Sequence, residues 1–436
     1  MKVSESKLAI LGGAKSRLID PPRELFHWPI VTKEDEEAVL EVLRAGTMSN
    51  TEISRAFADE FAAWNERSLS LAYPNGTEAI RAAMWSMEVG AGDEIICPSM
   101  TYWASCTQAL SLGATVNFAD IVPDTLCIDP ADIAHRIGPR TKVIVAVHYA
   151  GHPCDMDAIM KIAEEHNVKV LEDVSHAHGA LYRGRKVGTF GHIAAMSMMA
   201  GKSFAIGEGG MLITDDQTYF ERCIAYGHYE RTGIRTEWAD EAGDISLEEL
   251  NPFRGVPLGG YKHRLNQTCA AMGRVQLRHY DDRMAEIQQA MNRFWDLLEG
   301  VPGIRAHRPS RDSGSTMGGW YAAKGLYRGD ELGGVSCDAY CRAVAAEGVR
   351  DCSAGANFPL HNHPLFHSAD LFRMGKPTAI SFGQRDVRQG AGSLPVSERI
   401  REIAFSIPWF KKDLPEHIEM YAAAYRKVAE NADQLL

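Results

Sequence analysis

The sequence predicts an α/β fold with a mostly parallel sheet covered by helices. Two observations carry this: strand-like apolar runs alternate with helical stretches through the first two-thirds of the chain, and 436 residues is more than one compact domain usually holds. A helix at 77–89 starts just after Asn75-Gly76 and spaces Ala79, Ile80, Ala83, Met84 and Met87 about three and four residues apart. Strands follow at 94–98, 115–120 and 142–148. A helix at 156–166, with Ile159, Ile162 and Ala163 similarly spaced, leads to a strand at 168–173 that ends in Glu172-Asp173, and two more strands occupy 194–198 and 210–214. Residues 233–258 carry Glu237, Asp240, Glu241, Asp244, Glu248 and Glu249 ahead of Pro252 and read as an acidic surface loop. A proline-free amphipathic stretch at 268–298 precedes shorter mixed elements rich in Gly and Pro, which puts a domain boundary near 280–300. The expected division is an N-terminal arm at 1–30, a large domain at 31–285 and a small C-terminal domain at 286–436.

Composition narrows the function. Hydrophobic residues at 45% and charged residues at 24% are the balance of a soluble globular protein, and no apolar run is long enough to span a bilayer. The apolar stretch at 8–11 is too short for a signal-peptide core, so a cytoplasmic chain with no membrane partner is expected. A net charge of -11 without any basic block argues against nucleic-acid binding. Nine cysteines without a Cys-x-x-Cys pair read as reduced thiols. The histidine pairs 148/152, 176/178 and 361/363 lack a Cys or Glu partner at zinc-site spacing, so no metal is expected.

The chemistry centres on Lys202, which lies twenty-nine residues after Asp173. An amine that attacks an aldehyde, a carboxylate that keeps a pyridinium nitrogen protonated and small polar groups that hold a phosphate are together the demands of pyridoxal 5'-phosphate. Asp173 ends a strand, and in an open parallel sheet ligands sit at the carboxyl ends of strands. Gly76 and Thr77 open a helix, where N–H groups and the threonine hydroxyl favour a phosphate, and Ser197 adds a hydroxyl. Tyr102 or Trp103 offers a face to stack on the ring, and period-two reasoning leaves the choice between them open. Gly201-Lys202-Ser203 does not end a nucleotide-binding P-loop, because Met196 stands where that motif needs glycine.

Taken in order, Leu-Ala-Ile-Leu-Gly-Gly at 8–13, Asn-Gly-Thr-Glu-Ala at 75–79, Gly-Asp-Glu-Ile-Ile-Cys-Pro at 92–98, Glu-Asp-Val-Ser-His-Ala-His-Gly at 172–179, Lys202 with Gly-Glu-Gly-Gly at 207–210, Gly-Tyr-Lys-His-Arg at 260–264, Pro-Leu-His at 359–361 and Leu-Pro-Val-Ser-Glu at 394–398 resemble the DegT/StrS family of sugar aminotransferases. The resemblance runs nearly end to end. It implies the aspartate aminotransferase fold, with a seven-stranded sheet in the large domain and an α+β small domain. It also implies Lys202 as the Schiff-base lysine, Asp173 under the pyridine nitrogen and His176 near the ring hydroxyl. Gly76, Thr77 and Ser197 would hold the phosphate and Tyr102 would stack on the ring. Three departures stand out: Ser175-His176 where many members have Ala-Gln or Ala-His, Met198-Met199 where an aromatic-His pair is usual, and Lys262 where an asparagine often reaches the phosphate of the neighbouring subunit. A lysine there still meets a phosphate as a point charge. A homodimer with shared sites is the implied unit.

The expected reaction is a ping-pong transamination in which L-glutamine or L-glutamate gives up its amino group and a keto cyclitol or keto sugar receives it, in amino-sugar or aminocyclitol biosynthesis for antibiotics. The stretch at 8–13 is closer to members acting on cyclitols, which leaves nucleotide-linked keto sugars as the runner-up. A pyridoxal-binding regulatory protein without turnover is the alternative from another class, and intact Lys202, Asp173 and His176 argue against it. Sugar dehydratases resembling this family replace the lysine with histidine.

Overall fold

The computed structural model describes residues 7–16 and 19–436, so part of the arm expected at 1–30 lies outside the described residues. A seven-stranded sheet runs in the order Leu69–Tyr73, Gly210–Thr214, Ile193–Ser197, Lys169–Asp173, Thr141–Val147, Glu94–Pro98, Thr115–Ala119. Gly210–Thr214 is antiparallel to both neighbours, and the remaining pairs are parallel. The mostly parallel, seven-stranded sheet expected from the sequence is therefore present. All six strands legible in the sequence lie within one residue of their expected ends, and Leu69–Tyr73 is the edge strand that sequence reading missed.

Successive strand residues leave the sheet on opposite faces. Ile95, Val143, Val145, Val147 and Leu171 join one apolar cluster with Ala79, Ile80 and Ala83 of the helix Gly76–Ser86. Ile96, Ile144, Ala146 and Val170 join another with Phe57 and Phe61 of the helix Glu52–Trp64. Both faces are covered, which is why these strands read as continuous apolar runs.

The same alternation prepares the site, because the consecutive residues Glu172 and Asp173 at the end of a central strand point to opposite faces. The Glu172 carboxylate accepts N–H groups from Gly188 at 2.7 Å, Phe190 at 2.8 Å and Gly191 at 2.6 Å. His148 Nε2 adds a fourth donor at 3.0 Å, its Nδ1 being occupied by the Cys154 N–H. Burial pushes the Glu172 carboxyl up, but His148 and the backbone donors outweigh it and hold the group below the usual carboxylate range.

A four-stranded antiparallel sheet, in the order Ile304–Ala306, Lys324–Tyr327, Ala404–Ser406, Ser353–Ala354, packs with the helices Cys337–Ala346 and Pro415–Glu430 around a separate core containing Phe294, Tyr340, Phe405 and Tyr425. The 31-residue helix Gln267–Leu297 links the two regions. It places Ala270 and Tyr280 in a core of the large sheet and Ile287, Met291 and Phe294 in that of the small one.

Residues 233–258 are more ordered than an acidic loop. They form a hairpin of Ile234–Arg235 with Asp240–Glu241 and a 3-10 turn at Glu248–Phe253, with Ile245 and Leu250 buried. Three of the six acidic side chains are neutralised locally: Asp240 pairs with Arg254 at 2.8 Å, Asp244 with Arg231 at 2.6 Å and Glu249 with Arg222 at 2.9 Å. All nine cysteines are free thiols. Among the described residues no helix is long and apolar enough to cross a membrane, and no three His, Cys, Asp or Glu side chains converge as metal ligands.

Burial holds His178 and His307 at about 3 and His228 at about 4. In the unfolded chain these groups titrate near 6.5, so below that pH the unfolded state binds more protons than the folded one. Their stabilisation is complete above about pH 6.5 and is lost as the pH falls from there towards about 4 for His228 and about 3 for His178 and His307, by up to roughly 1.4 kcal/mol per pH unit for each histidine. Urea unfolding at pH 7 and 5.5 checks this, and equal stability at the two pH values contradicts it.

Candidate active site

A cavity of about 460 Å³ lies where the parallel strands end, lined by Gly76, Thr77, Tyr102, Asp173, His176, Ser197 and Lys202 among others. Each side chain arrives from a different element. Asn75 caps the helix Gly76–Ser86, its Oδ1 accepting the Glu78 N–H at 2.9 Å. Gly76 follows because only glycine fits: a Cβ there would stand 2.7 Å from the backbone of Ser197. This approach sets the first-turn N–H groups, which have no carbonyl partner within the helix, beside the Ser197 hydroxyl. Such a cradle suits a phosphate.

At the other side of the cavity, the Asp173 carboxylate accepts the Ser105 hydroxyl at 2.6 Å and the Ser175 N–H at 3.0 Å. Ser105 is itself 2.9 Å from the Thr101 hydroxyl. His176 Nδ1 accepts the Ala150 N–H at 3.3 Å, which leaves the ring proton on Nε2. Burial first, then the charges of Lys202, His178 and Lys324, holds His176 well below the usual histidine range, so it remains a neutral N–H donor.

Lys202 is 7% exposed. Burial lowers its amine to about 8 against the opposing pull of the Asp173 carboxylate, so far more of it is free base near neutral pH than for an ordinary lysine. Its carbonyl accepts the Trp28 indole N–H at 2.7 Å, and its Nζ lies 4.3 Å from the centroid of the Tyr321 ring. Tyr102 and Trp103 both line the cavity, half-exposed, with ring centroids 4.9 Å apart.

The structure thus gathers seven of the eight expected site residues. The eighth, Lys262, is exposed and lines no part of this cavity; its Nζ lies 5.6 Å from the Tyr229 ring. Sequence reading missed Ser105, Ser175, Tyr321 and Asn357, all of which line the cavity, and Trp28, which holds the Lys202 backbone. Ser105 had a signal, since it sits in the hydroxyl-bearing run Thr101 to Ser105 next to the aromatic pair. Tyr321 and Asn357 come from distant parts of the chain and had none.

Fold and cavity together define an α/β enzyme with its candidate site at the carboxyl edge of the sheet. The chain belongs to the DegT/DnrJ/EryC1/StrS aminotransferase family, whose sequence profile matches residues 29–382. The aminotransferases of this family depend on pyridoxal 5'-phosphate. The chain is 32% identical over 399 residues, 87% of its own length and 91% of the other's, to an L-glutamine:2-deoxy-scyllo-inosose aminotransferase of Micromonospora echinospora. It is also 32% identical to GDP-perosamine synthase of Escherichia coli O157:H7, over 65% of this chain and 73% of that one. Among solved structures, an aminotransferase from Psychrobacter cryohalolentis superposes with a TM-score of 0.79 at 28% identity, covering 94% of this chain and all of that one (100%).

Ser105→Ala removes one of the two donors seen on Asp173. It is expected to leave the fold intact and to lower turnover about tenfold, the scale of one charge-assisted hydrogen bond. Steady-state kinetics checks this, and an unchanged kcat contradicts it.

Proposed function

We propose that this aminotransferase holds pyridoxal 5'-phosphate in the cavity around Lys202 and moves an amino group from L-glutamine or L-glutamate to a keto cyclitol. The convergence of buried Lys202, strand-end Asp173 and the glycine-tight approach of Gly76 to Ser197 carries this reading. The donor set fits the cofactor. First-turn N–H groups and the hydroxyls of Thr77 and Ser197 would hold the phosphate, Asp173 the pyridine nitrogen and His176 the ring hydroxyl, with Tyr102 against the ring. When bound, the cofactor supplies an aldehyde and an electron-withdrawing pyridine ring.

This chain's own groups do the rest. The Lys202 amine, at about 8, takes up and releases a proton near neutral pH, as an acid–base group acting on the substrate's alpha carbon must. Asp173, held by Ser105 and Ser175, presents a negative charge that keeps a proton on a nitrogen facing it. Neutral His176 donates a hydrogen bond without competing for that proton. Tyr102, Trp103, Met199 and Tyr321 give the walls their apolar surface.

The phosphate end needs a cation that this copy does not supply, since Lys202 is the sole lysine or arginine among the described residues lining the cavity. We assign that role to Lys262 of a second copy, which makes the functional unit a homodimer with shared sites. Its exposure supports this. Free thiols throughout fit a cytoplasmic setting.

Two observations favour a cyclitol as acceptor. The relative named for an inosose aligns over most of the chain, whereas the one named for a GDP-linked product aligns over two-thirds. The cavity walls that this copy supplies offer aromatic faces with two carboxylates, Asp173 and Glu208, against one lysine, which suits an uncharged polyol better than a diphosphate. The equal identity of the GDP-perosamine relative keeps a nucleotide-linked keto sugar as the second reading.

Absorption of the cofactor-loaded protein should change on adding L-glutamine or L-glutamate and recover on adding a keto cyclitol. Recovery only with nucleotide keto sugars selects the second reading, and no response to either donor contradicts the proposal. Lys202→Ala is expected to bind cofactor and lose at least about a thousandfold in turnover. Lys262→Ala should weaken cofactor retention about tenfold, the worth of one charged contact; undiminished retention in equilibrium dialysis removes Lys262 from the site.

A further inference from the structure

The segment that carries Tyr321 is built under constraint. The residues on either side of it, Trp320 and Ala322, both have left-handed backbone, with φ of 57° and 55°. Side-chain-bearing residues seldom adopt this conformation, and two of them around one cavity residue mark a backbone held there by its surroundings. Those surroundings are tight: a Cβ at Gly318 would stand 2.5 Å from the His178 carbonyl oxygen, and one at Gly319 would stand 2.4 Å from the Ser203 side chain. The Trp320 indole is fully buried. Out of this kink Tyr321 enters the cavity, its ring centroid 4.3 Å from Lys202 Nζ and 4.8 Å from the His176 ring. Trp409 backs it edge-on at 5.9 Å, and the same Trp409 packs at 5.6 Å on Trp28, whose indole N–H holds the Lys202 carbonyl. Lys202 is therefore gripped at both ends, its backbone by Trp28 and its amine by the face of Tyr321.

We infer that Tyr321 is the positioning residue for Lys202: its π face receives the ammonium formed when the lysine has taken a proton from the substrate and keeps it in the cavity until the proton is returned. The inference rests on the proposed role of Lys202. A cation over an aromatic face is attracted by the ring quadrupole, most strongly where water is excluded. Burial alone works the other way, lowering the amine to about 8. The charged and titratable groups around Lys202 are the Asp173 and Glu208 carboxylates, the imidazoles of His176 and His178, and the phenols of Tyr102 and Tyr321. Both imidazoles are kept neutral by burial, so Tyr321 is the one of these that offers the ammonium a ring face in contact.

The test compares Tyr321→Phe, which keeps the face, with Tyr321→Leu, which removes it. The readout is the pH dependence of Lys202 acylation by acetic anhydride in the cofactor-free full chain, followed by peptide mass spectrometry. Wild type and Tyr321→Phe should share one midpoint, and Tyr321→Leu should fall lower by about half to one and a half pH units, with loss in kcat instead of KM. Phenylalanines with increasing ring fluorination at 321 preserve the packing while draining the face, and should lower the midpoint stepwise even if the leucine variant does not fold. Midpoints that stay with the wild type across this series overturn the inference. A loaded protein with no visible band, or one in which borohydride reduction leaves no label on Lys202, overturns the parent reading instead.

Discussion

The structure turns on the last two residues of one strand. Because side chains alternate across a sheet, Glu172 and Asp173 leave the same strand end in opposite directions. Glu172 is fully buried, and its charge persists because three backbone N–H groups and His148 occupy its oxygens. That arrangement anchors the turn at 188–191 against the sheet. Asp173 presents its carboxylate to the cavity, bonded there by Ser105 and Ser175. One carboxylate secures the scaffold so that its neighbour can serve chemistry.

Low amine basicity does not by itself single out the reactive lysine. Burial brings Lys202 and Lys324 to about 8 and Lys411 to about 6. Lys324 is occupied by the Ser406 hydroxyl at 2.8 Å and the Gly355 carbonyl at 3.2 Å. Lys411 lies 3.0 Å from the centroid of the Trp409 ring and bonds the Trp409 carbonyl at 3.1 Å. Lys202 alone of the three lines the cavity, within reach of both the anionic strand end and the helix-start cradle. Geometry selects it.

Much of this was legible in the sequence for identifiable reasons. The doubly covered strands announced themselves as apolar runs, and their ends fell where expected because the register is set by two buried faces. The edge strand Leu69–Tyr73 was missed because Leu-Ser-Leu-Ala-Tyr carries no β-branched residue and reads ambiguously beside the helix that follows it. The residues of the site that lie at strand ends and helix starts, Asp173, Ser197, Gly76 and Thr77, were found because local chemistry at those places is diagnostic, and Lys202 was found from its setting after Asp173 and ahead of Gly-Glu-Gly-Gly. Tyr321 and Asn357 were not, because only tertiary packing brings residues that far along the chain into the cavity. The acidic stretch misled for a related reason: three of its carboxylates pair with Arg222, Arg231 and Arg254, and two of these, Arg222 and Arg231, lie outside the stretch by sequence and beside it in space.

The most direct test of the central claim is to treat the purified protein with pyridoxal 5'-phosphate, reduce it with borohydride and map the labelled peptide by mass spectrometry. The account predicts a single phosphopyridoxyl group on Lys202. Label on Lys324 or Lys411, the two other lysines made weakly basic by burial, or on no lysine at all, would contradict it.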